Sequence, residues 1–245
     1  LTVETAPYLQ RQLAGQLAAG AHLWPARTFA GLGLAYLRAR FATSGPLLTI
    51  PAGGSSAVGV LGWVSGGLEI AAQLEAAHLP PFDVVYVTVG TGGTAAGLWL
   101  GLGRAAKSVV AVRVVPWPIA SEQGVRLLTR RAQSLLEQLT GETLRPEPQL
   151  SVEGSYVGPG IGYGAVTAAS RAAVERARTC GLYLETTYTG KTLAALLDAA
   201  DDGRLDGKRV LFINTVSSVD LSAVRARADL TKLPPWLGRQ LDKPK

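Results

Sequence analysis

VVYVTVGTGGTAAGLWLGL, residues 84–102, joins an apolar run to a glycine-rich turn and passes straight into a helix-forming run. Every residue of VVYVTV at 84–89 is apolar or β-branched. That pattern suits a strand covered on both faces rather than one with a wet side. Gly92 and Gly93 let the backbone turn sharply with its N–H groups pointing inward, and a helix beginning near Thr94 adds its positive dipole end. Together they form an anion cradle that needs no lysine.

The same alternation extends in both directions. Apolar periodicity predicts helices over 5–19, 28–41, 57–77, 94–104, 121–139, 166–179 and 191–200. Between them lie strand-like runs at 46–50, 84–89, 108–115 and 209–215, and a loop-rich stretch at 140–163. Strands separated by helices imply an α/β protein, a mainly parallel sheet flanked by helices on both faces. In such sheets ligands bind beyond the carboxyl ends of the strands. The small-residue turns AGGSS, GTGGT and NTVSS follow three of these strands, and GPGIGYG (158–164) and TTYTGK (186–191) are expected on the same edge. Ser55 and Ser56 read as N-cap residues for the helix that follows them.

Composition narrows the chemistry. The 245 residues are 47% hydrophobic and carry 24 basic against 18 acidic side chains, with the arginines scattered over helix faces. No basic stripe with interleaved aromatics points to nucleic acid. The single cysteine, Cys180, excludes an internal disulfide and a thiolate metal cluster, which fits a reducing cytoplasm. Neither His22 nor His78 stands at a metal-ligand or triad spacing, and no metal site is expected. There is no uninterrupted apolar stretch of about 18 residues, so no membrane span is expected. Residue 1 is Leu and the sequence contains no Met, so a native start is not visible.

Three anions compete for the cradle. A P-loop requires GxxxxGK followed by Ser or Thr, and no lysine follows Gly93 before Lys107. A dinucleotide fold accepts Gly90, Gly92 and Ala95 as GxGxxA, but the next strand ends RVVP, with Arg113 and no ribose-binding acid. An NADP-type oxidoreductase remains a remote alternative. The third is pyridoxal 5'-phosphate, its phosphate held by the amides around Gly92, Gly93 and Thr94.

Four further segments bear on that choice. IPAGGSSAVGVLGWVSGGLEIAAQ (50–73), YVGPGIGYG (156–164), LETTYTGKTLAALLD (184–198) and VLFINT (210–215) occur in order around VTVGTGGTAAGLWLGL (87–102). With them the chain resembles the D-cysteine desulfhydrase and 1-aminocyclopropane-1-carboxylate deaminase family, which has the tryptophan synthase β-like fold, pyridoxal-phosphate fold type II. The resemblance implies residues 1–45 as the remainder of a small α/β domain and 46–245 as the large cofactor-binding domain. It maps the phosphate loop onto Thr91, Gly92, Gly93 and Thr94, and makes Tyr188 the tyrosine that faces substrate and cofactor. Thr189 falls in the cofactor-binding set and gives YTGK, the desulfhydrase form of a motif that reads YEGK in the ring-opening deaminases. Thr215 takes the place of a threonine near the pyridine nitrogen.

The family's second active-site tyrosine lies in PGYG. Here that position is Ile161, and Tyr163 is its replacement if the loop shifts by two residues. Val216 and Ser217 stand where the family shows two glycines. The Schiff-base lysine of a GGNKxRK-type segment and the SNH-type carboxylate loop have no counterpart. The expectation is therefore a family member lacking its N-terminal third, catalytically dead and poorly stable by itself.

For the intact enzyme the resemblance implies a homodimer that acts on a small amino acid. The reaction would be D-cysteine β-elimination to pyruvate, ammonia and sulfide, with cyclopropane ring opening as the alternative. A non-catalytic phosphate-binding pseudo-enzyme is the reading from another class.

Overall fold

The structure is a computed structural model and describes residues 7–26, 28–117, 120–158, 164–217, 219–229 and 231. The chain divides into two compact units, Leu1–Thr49 with Ser218–Lys245, and Ile50–Ser217. The described part of the first unit is helical: α1 (Pro7–Ala18), α2 (Phe29–Ala42) and a short α8 (Ser222–Arg225). Thr28 caps α2, its hydroxyl accepting from the Gly31 amide at 3.0 Å.

The second unit is built on four parallel strands in the order β3-β2-β1-β4. β1 (Val84–Val89) is central and all six of its residues are buried. β2 (Ser108–Arg113) pairs with it from Val85↔Val109 to Val89↔Arg113, and β4 (Val210–Phe212) pairs from Val84↔Val210 to Tyr86↔Phe212. One face of β1, Val85, Val87 and Val89, packs under α3 (Ala57–Ala76), α4 (Gly93–Gly101) and α5 (Glu122–Thr140). The other face, Val84 and Tyr86, packs against Ala195 and Ala199 of α7 (Thr189–Asp201), beside which lies α6 (Ala168–Thr179). A buried bond between the Thr88 and Thr192 hydroxyls, 2.6 Å, pins α7 to β1.

α3 and α4 approach more closely than side chains normally allow. A Cβ on Gly97 would lie 2.7 Å from the Val60 carbonyl oxygen, and one on Gly67 would lie 2.7 Å from the Gly101 carbonyl carbon. These glycines let the two backbones touch, which brings the N-terminal ends of both helices to one edge of the sheet. α3 is long and apolar enough to cross a membrane by length and composition, and its Val60, Val64, Gly67 and Leu74 are buried in this unit.

Three expectations about elements need correction. The run 46–50 is not a strand: it pairs with nothing among the described residues, and Leu48 and Ile50 are 85% and 72% exposed. Apolar content gives a strand only where a neighbour can take up the backbone hydrogen bonds. Conversely, β3 (Gln149–Glu153) lies inside the stretch expected to be loop. Its sequence QLSVE is too short and polar to announce itself, and as an edge strand it needs only one apolar side. The last strand is shorter than the expected 209–215: only Val210, Leu211 and Phe212 lie in register with β1, and the Ile213 amide makes one further bond, to the Tyr86 carbonyl at 2.9 Å.

Candidate functional site

The carboxyl end of β1 runs through Gly90 and Thr91 into the turn at Gly92, whose φ of 95° lies in the left-handed region that favours glycine. α4 therefore begins at Gly93 with no acidic residue in its first turn and no side-chain cap from Gly92. The Gly93 amide is met instead by the Ser55 hydroxyl at 3.2 Å, and Ser55 Oγ shares a second hydrogen bond of 2.6 Å with Thr91 Oγ1. The two serines of AGGSS thus have different tasks. Ser56 caps α3, accepting from the Gly59 amide at 3.1 Å, whereas Ser55 turns away from the helix and joins the loop. The expectation that both are caps is corrected for Ser55.

The space beside this loop is narrow. A Cβ on Gly93 would stand 2.8 Å from Ser55 Oγ, and one on Gly90 would stand 3.8 Å from Cε1 of Tyr188. Backbone amides, the Ser55 and Thr91 hydroxyls and the Tyr188 ring therefore converge around glycines whose missing side chains keep the cradle open. Thr94 follows in the first turn of α4. The phosphate end of a pyridoxal phosphate fits such a donor set, since amides at a helix start and short hydroxyls are what a phosphate dianion accepts from.

Tyr188 is half-buried and precedes the first residue of α7. Its backbone is held by Glu185, a buried carboxylate not singled out by the motif reading. Glu185 accepts hydrogen bonds from the amides of Thr187 at 2.6 Å, Tyr188 at 2.9 Å and Thr189 at 2.8 Å. An acid aligned with the first turn of a helix satisfies amides that otherwise have no partner and offsets the helix dipole. The Thr189 hydroxyl also belongs to this knot: it donates to Glu185 Oε1 and accepts from the Glu185 amide, each at 3.2 Å, and the residue is buried. Thr189 is thus brought near the cradle in sequence, while its hydroxyl is directed to Glu185. An acid four residues ahead of the helix start was the signal available for Glu185.

Thr215 follows β4 on the same edge and is exposed. Asn214, beside it, donates to the Tyr183 carbonyl at 3.2 Å. Tyr163 and Ile161 lie outside the described residues.

The three described lysines take two different positions. Lys107 precedes β2 and pairs with Asp83 at 2.7 Å, at the amino edge of the sheet. Lys208 precedes β4 at that same edge. Lys191, in the first turn of α7, is fully buried and its Nζ donates to the Val157 carbonyl at 2.6 Å. Burial lowers its pKa from 10.5 to about 8, the nearby Glu185 carboxylate opposing part of the shift.

Known proteins match these features. The family described as "Pyridoxal-phosphate dependent enzyme" matches residues 7–216. The D-cysteine desulfhydrase of Yersinia pestis (strain Pestoides F) is 37% identical over 168 residues, 68% of this chain and 49% of that protein. A Pyrococcus horikoshii protein with the provisional name 1-aminocyclopropane-1-carboxylate deaminase is 34% identical over 170 residues, 68% of this chain and 48% of its own length. A solved structure described as the crystal structure analysis of the ACC deaminase homologue superimposes with a TM-score of 0.63 at 27% identity, covering 94% of this chain and 67% of that one. The chain spans about half the length of the curated relatives it matches.

Proposed function

This chain belongs to the pyridoxal-phosphate-dependent enzyme family, and from that premise we propose that it carries the phosphate-binding half of a lyase or deaminase site for a small amino acid. The observation that carries the reading is the loop at the end of β1, where Ser55 is bonded to Thr91 and to the Gly93 amide and the Tyr188 ring stands beside Gly90. When bound, pyridoxal phosphate supplies an electron sink that acidifies the Cα–H bond of an amino acid.

The chain's own residues divide the remaining work. The amides of Gly92, Gly93 and Thr94, with the Thr91 hydroxyl, hold the phosphate. The Tyr188 ring closes the other side of the loop and brings its phenol to the substrate, where it holds or exchanges a proton. Thr215 offers a neutral hydroxyl at the strand end to the pyridine nitrogen. Thr189 acts at one remove, through Glu185 and the backbone of Tyr188. The YTGK form at 188–191 favours D-cysteine β-elimination to pyruvate, ammonia and sulfide over cyclopropane ring opening, the activity to which the name of the Pyrococcus relative points.

Among the described residues, Lys107 and Lys208 stand at the far edge of the sheet and the Lys191 amine donates to the Val157 carbonyl, and the polypeptide is expected to hold the cofactor without turning substrate over. Titrating the chain with pyridoxal phosphate and following its absorbance and fluorescence tests the proposal. Saturable, reversible binding is expected, weakened about tenfold or more in Gly93→Ala, whose Cβ would stand 2.8 Å from Ser55 Oγ and push that hydroxyl out of the loop. Equal binding by Gly93→Ala would refute the loop assignment. A borohydride-reducible lysine adduct accompanied by turnover of D-cysteine would refute the expected lack of turnover.

A further inference from the structure

Lys191 is a fully buried lysine in the first turn of a helix, where the dipole disfavours a cation and burial disfavours any charge. A methionine or leucine at that depth avoids both penalties. The placement of its amine shows what is gained. Nζ donates to the Val157 carbonyl at 2.6 Å and lies 3.8 Å from the point where a Cβ on Gly158 would be. Val157 belongs to the connection that leaves β3, so one side chain of α7 reaches across to a second loop at the carboxyl edge of the sheet.

The head of the same helix carries Tyr188, and Thr192 on its next turn is bonded to Thr88 of β1. Glu185 knots the three amides at the helix start and supplies the countercharge that makes a buried ammonium tolerable there. Every group in this set lies within the unit formed by Ile50–Ser217.

We propose that Lys191 is a positioning residue: its buried amine straps the Val157–Gly158 backbone to the head of α7 and thereby fixes Tyr188 against Gly90. The consequence for the cofactor rests on the function proposed above, while the strap itself does not.

The test is Lys191→Met in the full chain, a near-isosteric change that removes the amine and keeps an unbranched apolar stem. Amide hydrogen exchange and thermal melting are measured on both proteins. Exchange is expected to accelerate about tenfold in 154–158 and 186–190 and to stay unchanged in β1 and β2, with a melting temperature no lower than that of the parent. A fall in melting temperature with uniformly faster exchange would make Lys191 merely structural, and unchanged exchange in 154–158 would abolish the strap.

Lys191→Cys in a Cys180→Ser background, alkylated with bromoethylamine while unfolded and then refolded, restores an amine of the same reach. Protection at 154–158 is expected to return, and its failure to do so in a refolded protein overturns the proposal. Pyridoxal phosphate titration of the same proteins forms the second arm, with weaker binding by Lys191→Met expected. If the parent chain binds none, the cofactor reading fails while the exchange arm still decides the strap.

Discussion

α4 and α7 both start at the carboxyl edge of β1, and their heads are satisfied in opposite ways. The head of α7 carries its own anion: Glu185 accepts from three successive amides and is itself buried. The head of α4 has no acid in its first turn, only a shared hydroxyl from Ser55 at Gly93. A helix start closed by a resident carboxylate has no use for a second anion. One touched at Gly93 by a neutral hydroxyl keeps its dipole uncompensated by any charge, which is what a phosphate would meet. Two similar glycine- and threonine-rich segments thus divide into a structural knot and the loop proposed to bind phosphate.

Removing the resident anion is the hardest test of that contrast. Glu185→Leu leaves the amides of Thr187, Tyr188 and Thr189 without their acceptor, and we expect a loss of about 3 kcal/mol or more in urea denaturation. A loss under about 1 kcal/mol would mean the head of α7 is held by packing alone.

The buried cation beside the knot gives a pH signature of comparable size. The Lys191 pKa falls from 10.5 to about 8 on folding, so between those values the unfolded chain binds more protons than the folded one. Stability therefore rises with pH across that window, and below about pH 8 the penalty for the buried charge is fully present. The stability of the parent relative to Lys191→Met should climb from pH 8 to 10.5 by an amount of order 3 kcal/mol. Denaturation midpoints of the two proteins across this range measure it, and parallel curves would show that the amine is not desolvated.

The smallest effects separate the two serines. Ser55→Ala and Ser56→Ala should each cost about 1 kcal/mol, one through the loop hydrogen bonds and the other through the α3 cap. Only Ser55→Ala should change the affinity for pyridoxal phosphate, because only Ser55 touches the Gly93 amide. Equal effects on affinity would erase the distinction between them.

Much of this was legible before the structure. The run 84–102 predicted a buried strand, a sharp glycine turn and a helix, and all three are present in β1, Gly92 and α4. The family resemblance carried by 50–73 and 184–198 agrees with the family match over 7–216. The misreadings have a common cause. Residues 46–50 look like a strand and have no partner, while 149–153 do not and have one on β2. Ser55 and Ser56 are identical in type and adjacent, yet a bond to Thr91, 36 residues away, gives Ser55 another role.

By itself the sequence determined the α/β alternation and the glycine turn between β1 and α4, because backbone freedom at glycine and apolar periodicity are local properties that residue order encodes directly, while the cofactor class followed from the resemblance of whole segments to a known family. Only the tertiary structure decided that Glu185 fills the head of α7, that Ser55 belongs to the cradle and that Lys191 is buried against Val157. Those depend on which distant backbone groups are left needing a partner once the sheet has formed, and a chain folds to satisfy them wherever geometry allows.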